Sequence, residues 1–139
     1  ETNKVIAAAA NFGHTLNGIP AWGPGAVTRV YFDTKGISGF YSAAPVLKQG
    51  ETVRTIKPEA AVEKYIAAGA PSTNLRLHSG VVYKVDISKV ELVYYIDASN
   101  SAQKTITPQY LISGQFYGRD LSGEKTDVAS DFSYLVPAI

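Results

Sequence analysis

The first sixteen residues carry apolar side chains at intervals of three and four positions. This spacing places them on one stripe and favours an amphipathic helix over residues 3–16, with Gly18 as its end. The residues of the stripe are Val5, Ile6, Ala9, Phe12 and Leu16. The next segment, residues 18–25, holds three glycines and two prolines, which excludes a helix or a central strand and predicts an ordered loop or a hinge.

Two short β-rich segments follow, over residues 26–33 and 37–43. Thr34-Lys35-Gly36 joins them, so the pattern predicts a hairpin in which Gly36 takes a positive φ. A second helix is predicted over residues 57–69, because Pro58 suits a first helical turn and Gly69 suits a C-terminal cap.

The remainder reads as successive strands. They are predicted at residues 74–78, 81–87, 90–97, 105–117 and 132–136, with polar connections at 97–104 and 119–131. Apolar and polar positions alternate over 81–87 and 90–97, as in an antiparallel sheet that is covered on one side. Pro108 predicts a bulge, a late strand start or an edge.

The order of elements predicts one domain, residues 1–139, of the α+β class. We expect two helices packed on one face of a curled antiparallel sheet, and the order also allows two unequal units, each a helix followed by strands.

Composition narrows the functions. The 139 residues are 45% hydrophobic, and 13 basic against 12 acidic side chains leave a net charge of +1, which excludes nucleic-acid or membrane binding driven by bulk charge. No cysteine is present, so thiolate metal sites and a cysteine nucleophile are excluded, and residues 5–10 are too short an apolar stretch to span a membrane. The absence of Met and Cys favours an exported, extracytoplasmic protein, with Glu1 the new end of a processed or trimmed precursor.

Several stretches carry a family resemblance. They are residues 57–61 opening the second helix, then 90–96, 107–114 and 134–138, and the loop and hairpin at 18–26 and 30–33. Together these resemble the PepSY-like modules of exported bacterial proteins, in which a helix is followed by antiparallel strands. The resemblance implies a cystatin-like layer of helix over sheet and a non-catalytic role, in some members the regulation of peptidases.

Candidate catalytic residues do not assemble in the sequence. His14 and His78 lack a second ligand at helical spacing, and neither Ser79 nor Ser113 lies in a nucleophile elbow. Glu59 and Glu63 fit a solvated helix face better than a carboxylate pair in a cleft. We therefore expect no enzyme activity, no metal and no cofactor.

Four carboxylates crowd the connection at 119–131, where a polar loop is favoured over a Ca²⁺ site because the order does not match an EF-hand. They are Asp120, Glu124, Asp127 and Asp131.

Four aromatic residues are the candidate binding residues. Trp22 lies between two prolines, where it is either a recognition tip or a plug over the end of the sheet, and we favour the plug. The leading hypothesis is a non-enzymatic module that recognises a protein or peptide through a sheet edge, a sheet face or its loops. The alternative is a small-ligand binder or small enzyme of cone-like α+β shape, with a pocket lined by Tyr31, Tyr94 and Tyr110.

Overall fold

The computed structural model of the chain describes residues 6–43, 45–70, 80–98, 102–120 and 126–139, with the backbone alone described at 80, 81, 120 and 126–128. These residues form seven strands and one helix. In chain order the elements are β1 (Ala7–Leu16), β2 (Ile19–Trp22), β3 (Val27–Asp33), β4 (Gly36–Ser42), α1 (Pro58–Ala67), β5 (Gly80–Tyr95), β6 (Pro108–Asp120) and β7 (Thr126–Pro137).

The described chain is mostly β, so the predicted α+β class with two helices on one face of an antiparallel sheet is wrong. The strands are hydrogen-bonded in the order β4-β3-β1-β2-β5-β6-β7. The sheet is mixed, because β2 runs parallel to β5 whereas β1–β2, β1–β3, β3–β4 and β6–β7 are antiparallel.

The predicted first helix is strand β1, and the turn that follows it gives the reason. Asn17 and Gly18 both have positive φ, at 51° and 79°, and Leu16 pairs with Ile19, so the two residues form a tight hairpin turn between β1 and β2. Asn-Gly is the dipeptide that favours this two-residue turn most strongly. Its backbone twist directs the preceding residues into a strand.

The prediction of a loop or hinge over residues 18–25 is wrong at Ile19–Trp22, which form strand β2. This strand lies between β1 and β5 although it contains Pro20, which has no amide hydrogen. Leu16 and Ile19 flank the two-residue turn and form a hydrogen-bonded pair, so Thr15 and Pro20 form a non-hydrogen-bonded pair. Pro20 is therefore tolerated, because β1 needs no amide hydrogen from it and the described pairing with β5 involves Ala21 and Trp22.

The β3–β4 hairpin and α1 are confirmed. Gly36 has a φ of 126°, as expected at the end of the Thr34-Lys35 turn. Helix α1 starts at Pro58, and beyond its end the Gly69 amide donates to the Ile66 carbonyl at 2.9 Å while the Ala70 amide donates to the Tyr65 carbonyl at 3.0 Å. With Gly69 at a φ of 85°, these bonds form a Schellman cap.

Two of the C-terminal strands, β5 and β7, are longer than predicted, whereas β6 has the predicted length of 13 residues and begins three residues later. Residues 81–87 and 90–97 belong largely to one strand, β5, and Tyr83 in it is exposed. Strand β6 starts at Pro108, as one reading of that proline predicts. The predicted polar connection at 119–131 is partly strand, because Arg119 pairs with Asp127. The predicted strand at 74–78 lies outside the described residues.

The chain divides into two compact units. Unit 1 comprises Glu1–Thr52 and Val93–Thr107, and unit 2 comprises Val53–Leu92 and Pro108–Ile139. Unit 2 contains the main hydrophobic core, in which α1 packs against β6 and β7. Its buried residues are Ala61, Tyr65, Tyr110, Ile112, Phe116, Phe132, Val136 and Ala138. Among the described residues, no helix is long and apolar enough to cross a membrane.

Candidate functional site

Unit 1 contains an open groove with a volume of about 590 Å³. Strands β1 and β2, the loop after β2, the start of β3 and one residue of β5 contribute to it. Its lining consists of Asn11, Phe12, Gly13, Ala21, Trp22, Gly23, Pro24, Ala26, Val27 and Tyr95. Most of these side chains are apolar, so the groove offers van der Waals contact and burial to whatever enters it.

Backbone hydrogen bonds fix the position of Trp22. The Ile96 amide donates to the Trp22 carbonyl at 2.8 Å, and the Gly25 amide donates to the Ile96 carbonyl at 3.0 Å. Between them Gly23 has a φ of 108°, and a Cβ there would lie 2.5 Å from the Ile96 carbonyl oxygen and 2.7 Å from the Tyr95 ring. Only glycine allows the loop to approach β5 so closely.

Two aromatic rings meet at the wall of the groove. The rings of Trp22 and Tyr95 have their centroids 5.8 Å apart and are inclined at 41°. Trp22 remains 42% exposed, and Phe12 is 54% exposed. Large exposed apolar side chains gathered in a groove are typical of a binding surface.

A glutamine holds the backbone of the strand end that carries Tyr95. The Gln103 side chain donates from Nε2 to the Tyr95 carbonyl at 3.0 Å, and its Oε1 accepts from the Asp97 amide at 2.8 Å. The segment after β5 therefore adds two bonds to the same backbone that pairs with β2. Tyr95 is thus presented by a backbone fixed on both sides.

The lining is uncharged. None of the lining residues is Lys, Arg, His, Asp or Glu, and Asn11 is its one amide side chain. Oδ1 of Asn11 already accepts a 2.6 Å hydrogen bond from Nε of Arg29. The described lining residues therefore suit an uncharged apolar segment, and none of them supplies a carboxylate or imidazole for proton transfer or for a metal ion.

The predicted binding residues lie in different surroundings. Trp22 ends strand β2 and lines the groove. Tyr31 lies on β3, with the Arg29 guanidinium 6.0 Å from its ring centroid, and half-buried Tyr94 pairs with Ala21; neither lines the groove. Tyr110 belongs to unit 2, where it is buried and its hydroxyl donates to the Ile56 carbonyl at 2.9 Å.

The sequence reasoning missed Phe12 and Tyr95. The helical spacing places Phe12 on a buried stripe, whereas recognition of the Asn17-Gly18 turn would have placed it in a strand. The alternation predicted over residues 90–97 places Tyr94 on the covered face of the sheet, so it places Tyr95, the next residue, on the solvent face.

The other candidate residues show ordinary surface roles where they are described. Glu59 and Glu63 are exposed on α1, which confirms the solvated helix face. Nε2 of His14 lies 3.1 Å from the Thr28 hydroxyl, which in turn lies 3.0 Å from the Ser42 hydroxyl.

His78, Ser79 and Glu124 lie outside the described residues, as do the side chains of Asp120 and Asp127. Oδ1 of Asp131 accepts from Nε2 of Gln115 at 3.0 Å. Within the part of the chain that the structure describes, no cluster of three His, Asp or Glu residues could hold a metal ion.

No known protein family, curated protein or solved structure matches this chain.

Proposed function

We propose that the chain is a non-enzymatic, exported module that binds an uncharged, extended peptide segment of a partner protein in the groove beside Trp22. The observation that carries this proposal is the contact of exposed Trp22 with half-buried Tyr95 in an apolar, uncharged groove. Exposed Trp and Tyr side chains are the residues that most often dominate binding energy at protein interfaces.

The favoured ligand is a segment in the polyproline II conformation. Such segments bind in grooves lined by aromatic rings, because proline rings pack on Trp and Tyr and the stiff chain loses little entropy on binding. The inclined Trp22 and Tyr95 rings, with Pro24 and Phe12 beside them, offer contact surfaces of this kind.

A sugar fits the groove less well. Aromatic rings can stack on a sugar, but its hydroxyl groups also need hydrogen-bonding partners when they are buried. Asn11 is the groove's one amide side chain, and its oxygen is already bonded to Arg29. The alternative of a small-molecule ligand rests on the volume of about 590 Å³, within the usual range of roughly 300–1,000 Å³.

Export and peptidase regulation rest on other grounds. Export is supported by the absence of Met and Cys from the sequence, and regulation of a peptidase by the PepSY-like resemblance. Both stay predictions, and neither is needed for peptide binding in the groove.

The proposal can be tested by fluorescence, because Trp22 is the single tryptophan of the chain. Uncharged synthetic peptides rich in proline and aliphatic residues are titrated into the full chain. We expect a saturable change in Trp22 emission, and no such change with peptides of equal length in which alternate residues are Lys or Glu.

Two variants with the tryptophan intact complete the test. Phe12→Ala removes a groove side chain and should weaken binding several-fold, whereas Tyr41→Ala removes an exposed aromatic ring outside the lining and should not. A saturable response to soluble oligosaccharides but to no peptide would overturn the proposal, as would equal peptide binding by both variants.

A further inference from the structure

Strand β4 is at one end of the strand order. It pairs with β3 on one side, and no described strand follows it on the other. A strand at the edge of a sheet presents amide and carbonyl groups that can pair with another chain. This edge belongs to unit 1 and is separate from the residues that line the groove.

The hydrogen-bond pattern shows which groups point outward. The Ala43 amide donates to the Val27 carbonyl at 3.0 Å, so this pair faces inward across the β3–β4 ladder. In an antiparallel pair the bonded residues alternate, so Tyr41 and Gly39 also face β3. The amides and carbonyls of Phe40 and Ser42 therefore point away from the sheet.

The side chains of β4 do not protect this edge. Natural edge strands commonly carry Lys or Pro, which discourage pairing with other chains. Residues 36–42 include no charged residue and no proline, and Ile37 and Phe40 are 72% and 69% exposed. The described edge thus combines outward backbone groups with exposed apolar side chains.

We propose that β4 is a site of strand addition, at which an extended segment of a partner protein pairs antiparallel with Phe40 and Ser42. The register places Phe40 beside Val30 and Ala10 on one face of the sheet. The partner residue opposite Phe40 extends this apolar row, so we expect an apolar residue there. Ser42 lies beside Thr28, so Ser or Thr is favoured opposite Ser42.

A second copy of the chain fits this edge poorly. The register shifts at Ser38, which bulges because Gly39 pairs with Tyr31 while Ile37 pairs with Phe32. A twofold pair centred on Phe40 would set Ser42 of each copy against the bulge of the other. A pair centred on Tyr41 would set Phe40 of each copy against Ser42 of the other, so Phe40 would face no apolar residue and Ser42 would face neither Ser nor Thr. A foreign strand has no such constraint.

The proposal does not depend on the groove, and its test separates the two surfaces. Peptides selected from a random displayed library against the full chain are synthesised and titrated into ¹⁵N-labelled protein. We expect them to slow hydrogen exchange at the amides of Phe40 and Ser42, while exchange at Tyr41, already bonded to β3, changes little.

Three variants define the contact. Phe40→Pro removes an outward donor while keeping the bonds to β3, and should weaken binding at least tenfold. Phe40→Ala keeps that donor and should weaken binding less, while Trp22→Ala, a groove variant, should leave it unchanged. Far-ultraviolet circular dichroism checks that each variant is folded.

Three results would overturn the proposal. The first is equal peptide affinity of the wild type and a folded Phe40→Pro variant. The second is protection of the Phe40 and Ser42 amides that rises with protein concentration without peptide, which would identify a second copy as the occupant. The third is peptides that change Trp22 emission but leave both amides unprotected, which would support the groove and exclude the edge.

Discussion

Tyr65 carries the one buried side-chain polar atom that lacks a hydrogen bond among the described residues. Its ring lies parallel to that of Phe132 at 5.7 Å and inclined to that of Tyr134 at 5.4 Å, so it fits the core of unit 2 as an aromatic ring. Its hydroxyl has lost water without gaining a protein partner, which costs about 1–3 kcal/mol. Tyr110 in the same core donates its hydroxyl to Ile56.

These two tyrosines give a matched pair of substitutions. We expect Tyr65→Phe to raise the free energy of unfolding by about 1 kcal/mol, because it removes an unpaired buried hydroxyl. Tyr110→Phe should lower it by about 1 kcal/mol, since it leaves the Ile56 carbonyl unpaired. Urea unfolding measures both, and an equal loss in the two variants would contradict the assignment.

Tyr65→Phe is also expected to differ from wild type in its stability at alkaline pH. Burial, and then the nearby Tyr134, raise the pKa of Tyr65 above its ordinary value of 10.0. As the pH rises, Tyr65 therefore loses its proton in the unfolded chain before it does so in the folded protein. The resulting contribution of protonated Tyr65 to the free energy of unfolding is fully present below pH 10.0 and is lost as the pH rises through the folded pKa. Tyr65→Phe should therefore lose less stability above pH 10.0 than wild type.

At the scale of elements, α1 could be predicted because its ends are marked in the sequence. Pro58 and Gly69 fix where a helix begins and ends, whatever the rest of the chain does. The β3–β4 hairpin could be predicted for the same reason, since Gly36 marks its turn. Local signals of this kind need no knowledge of distant residues.

Strand β1 escapes prediction because alanine fits both periods. Ala7–Ala10 satisfies a helical stripe and a strand equally, so the spacing of Phe12 and Leu16 decides the prediction wrongly. Trp22 could be selected from its position between prolines, but its ring contact with Tyr95 could not. That contact depends on the pairing of β2 with β5, which no local pattern encodes.

The turn after β1 gives a prediction at this scale. Gly18 has a φ of 79° and open space where a Cβ would lie, so Gly18→Ala should cost about 1–2 kcal/mol through backbone conformation alone. Gly13, in β1, also has open space but no positive φ, so Gly13→Ala should be neutral or slightly stabilising. Urea unfolding followed by Trp22 emission measures the free energy of unfolding of both variants. Equal values for Gly18→Ala and Gly13→Ala would contradict the assignment of the turn at Gly18.

At the scale of the whole molecule, the two units bury very different amounts of apolar surface. Unit 1 has four buried hydrophobic residues among those described, namely Ala26, Ala43, Val93 and Ile96, and two of the four are small alanines. Unit 2 has nine, among them Tyr65, Ile112, Phe116 and Phe132. Since burial contributes about 25 cal/mol per Å² of apolar surface, side-chain packing stabilises unit 2 far more than unit 1.

This difference predicts two unfolding transitions that different probes can separate. Trp22 emission reports on unit 1, and ellipticity at the helical band reports on α1 in unit 2, so the emission should change at lower urea concentration. Ile112→Ala, at a fully buried position, should cost about 2–5 kcal/mol in the helical transition and bring its midpoint towards that of the emission. Coincident midpoints in the wild type would mean that the chain unfolds as one cooperative body, because a transition limited to unit 1 cannot melt the helix of unit 2.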